Sequence, residues 1–317
     1  MSEPVPNQIE LLRTVRLALK EESFETAIGA LELLVQIAYD DGDIGAAGRH
    51  LGNLALLYYR MNELEQALDY FLKAIECARE DGDRATEGGL LGNMGNILRE
   101  ADYLEDAIDY LHQALIISNE RGDTRGRGIW LSNLALVYDD LQDYEQAVEL
   151  HAEAVDVARR LRDQRGLAAR LGNLGNSFVK MGDYASALSY FGEAVDIFRE
   201  LGQKQDVALR LSVMGNLHVE LGRTHTDDEA AAHHFAEALV LYAEALDLAQ
   251  DMKDRAAEAG LLRSVGNVLA AASRFDDAIQ YYRAAANLFE LLGMTQEVAK
   301  THQNIEICKS VRNQSVR

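Results

Sequence analysis

The stretch that decides the fold is residues 171–202, LGNLGNSFVKMGDYASALSYFGEAVDIFRELG. Leu171, Leu174 and Phe178 recur at intervals of three and four residues, which predicts one apolar face of an α-helix. Gly182 and the aspartate after it should end this helix, because glycine tolerates a left-handed backbone and aspartate can cap the next helix. The stretch therefore predicts two amphipathic helices joined by a tight turn.

Near-copies of this unit begin at Leu51, Leu91 and Leu131, each forty residues from the next. Neither helix of a unit can bury its apolar stripe alone, so stacked units must share one continuous core. A glycine inside a helix, such as Gly175, costs ~0.5–1 kcal/mol relative to alanine. We therefore expect the recurrent glycines to make room for a neighbouring helix or for a ligand.

The unit resembles the tetratricopeptide repeat (TPR) in its Leu-Gly start, its Gly-Asp-Tyr turn and its Ala-x-x-x-aromatic second helix. The phrases LGNLGN at 171–176 and LGNMGN at 91–96 are similar to those of Pins/LGN-type adaptors and kinesin light chains. The resemblance implies an all-α fold, a right-handed α-solenoid of about seven helix hairpins with a C-terminal capping helix. It also implies a concave groove that binds a peptide.

The forty-residue period sets the expected repeat boundaries. The period breaks in the sixth repeat, where an insertion at about 223–234 should give an over-long second helix. A final helix without a partner should cover the last apolar stripe. We expect a single TPR solenoid over 1–317, with repeats at 7–40, 44–80, 84–120, 124–162, 164–201, 204–252 and 254–292 and a capping helix at 294–311.

The composition excludes several classes of function. A net charge of −21 argues against nucleic-acid binding and would repel anionic membranes. No apolar run is long enough to span a bilayer, and the first twenty residues show no signal-peptide pattern. Two cysteines far apart in a helical chain favour a reducing compartment. We expect a cytoplasmic protein.

Two rows of asparagine are the candidate binding residues. An asparagine in the middle of a helix is a middling to poor helix former, so its recurrence at fixed phase calls for a reason. A carboxamide can pair with both the N–H and the C=O of an extended peptide, and the family resemblance implies this role. There are two alternatives. The asparagines could only hydrogen-bond turns or neighbouring helix ends, or they could be inherited by repeat duplication without a function. The first row is Asn53, Asn93, Asn133 and Asn173, and the second is Asn96, Asn176, Asn216 and Asn267.

Small residues and basic residues accompany these rows. Gly52, Gly92 and Gly172 precede the first row, and we expect them to let a peptide backbone approach closely. A basic cluster at one end of the groove predicts binding of an acidic segment, since guanidinium groups match carboxylates. The alternative is a solvated face paired with nearby glutamates. The basic residues counted as candidate contacts are Arg13, Arg16, Arg60, Arg99 and Lys180.

The sequence shows no catalytic constellation and implies no cofactor. The insertion carries His225, Asp227, Glu229, His233 and His234, but the HExxH zinc pattern is missing. We therefore expect a solvated helix start there and no metal. Trp130 is expected to pack in the core, as large aromatic side chains usually do.

We expect a non-enzymatic adaptor or scaffold that binds a protein or peptide partner in its concave groove. One alternative is a peptide-sensing regulatory module similar to the TPR sensors of bacterial quorum-sensing regulators. Another is a self-assembling scaffold formed by pairing of the first repeat's apolar edge. The sequence leaves the partner and the oligomeric state open.

Overall fold

The computed structural model describes residues 7–224 and 227–315 of the 317-residue chain. Within these ranges the chain is α-helical apart from short turns, and the described residues form fifteen helices and no strand. The helices are α1 (Gln8–Lys20), α2 (Phe24–Asp40), α3 (Ile44–Arg60), α4 (Leu64–Asp81), α5 (Arg84–Glu100), α6 (Leu104–Arg121), α7 (Thr124–Asp140), α8 (Tyr144–Leu161), α9 (Gln164–Met181), α10 (Tyr184–Glu200), α11 (Lys204–Thr224), α12 (Asp228–Asp251), α13 (Arg255–Ala271), α14 (Phe275–Leu291) and α15 (Thr295–Ser315).

Local signals fix where each helix begins and ends, as α9 and α10 show. The Asp163 carboxylate accepts a hydrogen bond from the Gly166 N–H at 3.0 Å and caps the start of α9. The helix ends at Gly182, whose φ of +85° is the left-handed conformation that glycine adopts without strain. Asp183 then caps α10 by accepting from the Ser186 N–H at 3.0 Å. The predicted turn between these two helices is confirmed.

The helices pack as consecutive antiparallel pairs within two compact units. The first unit ends at Leu161 and holds the pairs α1–α2, α3–α4, α5–α6 and α7–α8. The second unit begins at Arg162 and holds α9–α10, α11–α12, α13–α14 and the unpaired α15. Within each unit the second helix of one pair also packs on the first helix of the next. Each unit is thus an all-α stack of repeated hairpins, as the sequence predicts.

The mid-helix glycines lie where a large side chain of the second helix crosses the first. A Cβ on Gly175 would stand 2.6 Å from the ring of Phe191, which is completely buried. Gly215 and Gly266 face the rings of Tyr242 and Tyr282 in the same way. Of the two reasons that the sequence left open for these glycines, the structure supports room for a neighbouring helix.

The insertion in the sixth repeat lengthens both of its helices. The helix α11 has 21 residues and α12 has 24, against 17 or 18 in α2 to α10. The prediction of an over-long second helix is confirmed, and the first helix is lengthened as well, which the sequence did not indicate. The physical reason is Gly222 of α11, because a Cβ at this position would stand only 2.7 Å from the ring of Phe235 in α12. The added turns pack on each other and extend the hairpin.

The last helix covers the apolar face of the final pair. Ile305 and Cys308 of α15 are buried against α14, and Thr301 is completely buried as well. The helix continues to Ser315, four residues beyond the expected 311. Its outward face is polar apart from Ile307 and Val311.

A buried carboxylate, Glu87, joins two helices of the first unit. It accepts hydrogen bonds from Arg79 Nε at 2.7 Å and from Arg84 Nη1 at 2.6 Å. Burial opposes ionisation of Glu87, but the two guanidinium groups outweigh burial and hold its pKa below the ordinary 4.5. Because the folded state binds this proton less tightly than the unfolded state, the stabilisation is complete above pH 4.5 and is lost as the pH falls through the lowered pKa.

We expect Glu87→Gln to lower the free energy of unfolding by about 1–3 kcal/mol at neutral pH, since two charge-assisted hydrogen bonds are weakened. Denaturant unfolding of wild type and variant at a series of pH values measures this. The difference should shrink as the pH drops below 4.5. The exposed Glu105 serves as the control, and Glu105→Gln should leave stability nearly unchanged. A difference between wild type and Glu87→Gln that stays constant with pH would contradict the expectation.

Candidate functional site

The first helices of successive repeats define an inner face in each unit. In the first unit α3 packs on α5 and α5 packs on α7, and in the second α11 packs on α13. The first helices of adjacent repeats therefore approach each other closely. We call the solvent-facing side of these helices the inner face, and the two asparagine rows lie along it.

The asparagine side chains of the first row border the core without entering it. Asn53 and Asn93 are exposed, and Asn133 and Asn173 are half-buried. Each precedes a buried residue of its own helix, as Asn53 precedes Leu54. The helix periodicity that buries one residue thus leaves the asparagine before it at the surface.

The second row is exposed at Asn176, Asn216 and Asn267 and half-buried at Asn96. Several of these amides already have partners within the chain. Asn96 Nδ2 donates to Glu100 Oε1 at 3.0 Å. The two rows are therefore accessible to a partner but do not form a uniform set.

Tyrosine hydroxyls of the second helices orient two asparagines in the second unit. Tyr242 donates to Asn216 Oδ1 at 2.5 Å, and Tyr282 donates to Asn267 Oδ1 at 2.8 Å. Burial raises the pKa of both tyrosines to about 12, so the hydroxyls remain donors across the physiological range. With its oxygen occupied, each carboxamide turns its N–H groups toward solvent. The sequence analysis did not identify these tyrosines as site residues. The signal for them was a glycine directly before each asparagine, at the same position of its repeat.

The glycines that precede the first row do not lie open to a peptide. A Cβ on Gly92 would stand 2.4 Å from the ring of Trp130, which belongs to the next repeat. Gly52 faces Leu90 at 2.7 Å, and Gly172 faces the guanidinium of Arg210 at 2.5 Å. The expectation of close approach by a peptide backbone at these glycines is therefore wrong, because the neighbouring first helix fills the space. Trp130 packs against the core, as expected.

The basic residues of the first repeats are largely available. Arg13, Arg16 and Arg60 are exposed, and within residues 7–224 and 227–315 their side chains make no ion pair or hydrogen bond. Arg60 and Asn53 border a cavity of about 250 Å³ on the inner face of α1 and α3. Apolar side chains, including Val15 and Leu56, form the rest of its lining. The cavity combines a cation, an amide and an apolar surface.

Arg99 and Lys180 differ from this group. Arg99 donates from Nη1 to Asp140 Oδ2 at 2.8 Å and lies 3.8 Å from Glu100 Oε1, so acidic residues of the chain already neutralise its charge. This matches the alternative of a paired charged face at that position. Lys180 is exposed and lies in the second unit.

The histidines of the insertion do not assemble a metal site in the part of the chain that the structure describes. His225 lies outside the described residues. Asp227 caps α12 by accepting from the Glu229 N–H at 3.2 Å. His234 Nδ1 lies 3.1 Å from His218 Nδ1. No group of three or more His, Cys, Asp or Glu side chains in residues 7–224 and 227–315 is placed to hold a metal ion.

Family models match this arrangement of repeats. One model of the tetratricopeptide repeat matches residues 86–160, and a second matches residues 49–80 and 167–201. The chain is a tetratricopeptide repeat protein. No curated protein sequence matches it. The TPR assignment supports a role in protein–protein interaction.

Solved structures share the TPR fold with this chain. BtubC from P. vanneervenii is 21% identical, with a TM-score of 0.61 over 77% of this chain and 92% of that one. Aspartyl phosphate phosphatase F from Bacillus subtilis is 16% identical, with a TM-score of 0.60 over 88% of this chain and 75% of that one. A Rap protein complexed with competence and sporulation factor is 15% identical, with a TM-score of 0.51 over 97% and 99%.

Among the described residues no helix combines the length and the apolarity that a membrane span needs.

Proposed function

We propose that the protein is a non-enzymatic adaptor that binds an extended segment of a partner protein along the inner faces of its units. The observation that supports this proposal is the placement of eight asparagines at the surface of consecutive first helices, where none is buried. A carboxamide with no partner in its own chain can satisfy both the N–H and the C=O of an extended peptide, and those of Asn216 and Asn267 can still donate to a peptide C=O. A disordered segment bound in this way gives specificity at modest affinity per unit area.

The net negative charge of the chain limits the kinds of partner that it can bind. With a net charge of −21, the protein is unsuited to nucleic acid or to an anionic membrane surface, and we propose a cytoplasmic location. The unpaired guanidinium groups of Arg13, Arg16 and Arg60 stand out against this charge. They favour a partner segment that carries acidic residues.

We expect the double variant Asn133→Ala, Asn173→Ala to bind the partner about tenfold more weakly or worse, since each truncation removes hydrogen bonds of about 1 kcal/mol. The measurement is affinity capture from the source cell, followed by titration of the captured protein. The matched control is Asn119→Ala, Asn287→Ala, which changes two exposed asparagines on second helices. Partners retained by the inner-face variant and the control alike would contradict the proposal.

We expect Arg60→Glu to weaken binding of that isolated partner about tenfold at low salt, because it reverses an unpaired charge on the inner face. The difference from wild type should narrow as salt rises. Arg121→Glu is the control, since Arg121 is exposed at the end of α6 on a second helix. An affinity that responds neither to salt nor to Arg60→Glu would remove the acidic segment from the proposal.

A second candidate is a regulatory module that senses a peptide. The Rap protein that shares the fold over 97% of this chain was solved with competence and sporulation factor, which favours this possibility. The capture experiment separates the two. An adaptor retains a protein partner, whereas a peptide sensor would retain a free peptide and no larger protein.

A further inference from the structure

The insertion of the sixth repeat builds one wall of a pocket in the second unit. The pocket has a volume of about 560 Å³ and opens on the inner face of α13 and α15. Its apolar lining includes Phe235 and Ala231 of α12 and Ile307 of α15. Its polar lining includes Asn267, Tyr282 and Asn304. This volume is within the range of small-molecule sites, about 300–1,000 Å³.

The polar side of the pocket has a fixed hydrogen-bonding pattern. Asn267 Oδ1 accepts from the Tyr282 hydroxyl at 2.8 Å and from Asn304 Nδ2 at 3.3 Å. The ring of Tyr282 packs over Gly266, which holds the hydroxyl in place. The Asn267 amide hydrogens and the Asn304 carbonyl oxygen therefore remain for a ligand. A donor beside an acceptor is the complement of one peptide unit.

The apolar side of the pocket is open to solvent. Ile307 is 53% exposed although it faces a cavity, and Phe235 is half-buried. Two charged residues also line the pocket: Arg223 donates to Glu220 at 2.8 Å, and Asp228 is exposed to water. An uncharged apolar group that covers Ile307 and Phe235 would remove apolar surface from water without burying a charge.

We propose that this pocket binds one uncharged apolar side chain of a peptide segment together with the peptide unit beside it. The proposal rests on the proposed function, because it assigns one anchoring position to the bound segment. In it Tyr282 is a positioning residue, since it acts on the ligand through Asn267. The insertion then has a function, which is to supply the wall that the regular repeats lack.

The experiment uses N-acetyl-leucinamide, which carries one apolar side chain between two amide groups, and N-acetyl-glycinamide, which lacks the side chain. Methyl NMR of the full chain follows the Ile307 and Ala231 signals during titration. We expect N-acetyl-leucinamide to shift them with a dissociation constant on the order of 1 mM. N-acetyl-glycinamide should bind at least about tenfold more weakly, because it buries no side chain.

Two pairs of variants test the two sides of the pocket. Tyr282→Phe keeps the packed ring and removes the hydroxyl, and it should weaken N-acetyl-leucinamide about fivefold. Tyr242→Phe frees Asn216 in the same way outside the pocket and should leave binding unchanged. Ala271→Trp should block the pocket, whereas Ala284→Trp, on the exposed face of α14, should not. Circular dichroism confirms that each variant is folded.

Equal shifts with both probes would overturn the proposal, as would N-acetyl-leucinamide binding that persists in Ala271→Trp. Equal effects of the two tyrosine variants would remove Tyr282 from its positioning role. These outcomes are independent of the partner-capture result. A pocket that binds the leucine probe while Asn133→Ala, Asn173→Ala retains every partner would overturn the adaptor proposal and leave the pocket intact. If Asn133→Ala, Asn173→Ala loses the partner but the leucine probe does not bind, the pocket proposal is overturned and the adaptor proposal stands.

Discussion

Replacing Phe191 with alanine is expected to destabilise the α9–α10 hairpin by about 3–5 kcal/mol. Phe191 is completely buried, and its ring fills the space that the missing Cβ of Gly175 leaves on α9. The guanidinium of Arg210 lies over the same ring, 5.4 Å from its centre. The substitution would therefore open a cavity and also expose the surface on which Arg210 rests.

The size relation between Gly175 and Phe191 can be tested directly. Gly175→Leu alone should overpack the hairpin, at a cost of about 1–3 kcal/mol or more. Combined with Phe191→Ala, it should recover part of the loss, since the new side chain enters the vacated space. Because repeat arrays unfold in segments, amide hydrogen exchange of α9 and α10 is the measurement to use.

The matched control is Gly192→Ala in α10. A Cβ there would meet nothing within 4 Å, so alanine should stabilise the helix by about 0.5–1 kcal/mol. Opposite signs at Gly175 and Gly192 would show that packing, and not helix propensity, selects the glycine on α9. If the free-energy losses of Phe191→Ala and Gly175→Leu simply added in the double variant, the two residues would not be coupled.

The sequence was sufficient for the helices because their signals are local. Periodic apolar residues and aspartate caps such as Asp183 act within one or two turns of the chain. The side chain that each glycine contacts lies far from it in the sequence and could not be predicted from such local signals. Gly175 meets a ring sixteen positions later, whereas Gly92 meets Trp130 of the next repeat, and both read as a glycine in mid-helix. Sequence reasoning consequently assigned Gly92 to a peptide that the structure leaves no room for.

The same distinction separates the candidate site residues. The phase of Asn53 and Asn176 on their helices follows from periodicity, so their exposure could be predicted. The bond from Tyr282 to Asn267 depends on the crossing of two helices, and the pairing of Arg99 with Asp140 depends on the spacing of two repeats. Neither distance is encoded in a single stretch of sequence. These contacts decide which amides and cations are already engaged within the chain.

The second large effect is expected at His151, an imidazole that is completely buried in the first unit. Its Nε2 lies 3.6 Å from Oδ2 of Asp139, which is itself only 4% exposed. Within the described residues neither ring nitrogen has a hydrogen-bond partner. Phe71 and Leu111 are the corresponding residues of the preceding repeats, and both are completely buried as well. The imidazole thus occupies a position that apolar side chains fill in the two preceding repeats.

We expect His151→Phe to lower the free energy of unfolding by about 1–3 kcal/mol, because the buried Asp139 carboxylate then loses a polar neighbour and faces an apolar ring. Asp139→Val should cost about 1–3 kcal/mol, since the imidazole loses its acidic neighbour. The double variant should be as stable as the wild type or more stable, because replacing both partners of a buried polar contact with apolar side chains can be neutral or stabilising. Chemical denaturation with hydrogen exchange of α7 and α8 gives all three values.

The stabilities of these three variants also test whether the buried pair affects binding on the inner face. Asp139 is followed by Asp140, the partner of Arg99, and the same helix carries Asn133. If the double variant is more stable than the wild type yet captures the partner more weakly, the buried pair serves to set the position of α7 and not to stabilise it. If the two single losses simply add in the double variant, His151 and Asp139 do not act as a pair, and the imidazole needs another explanation.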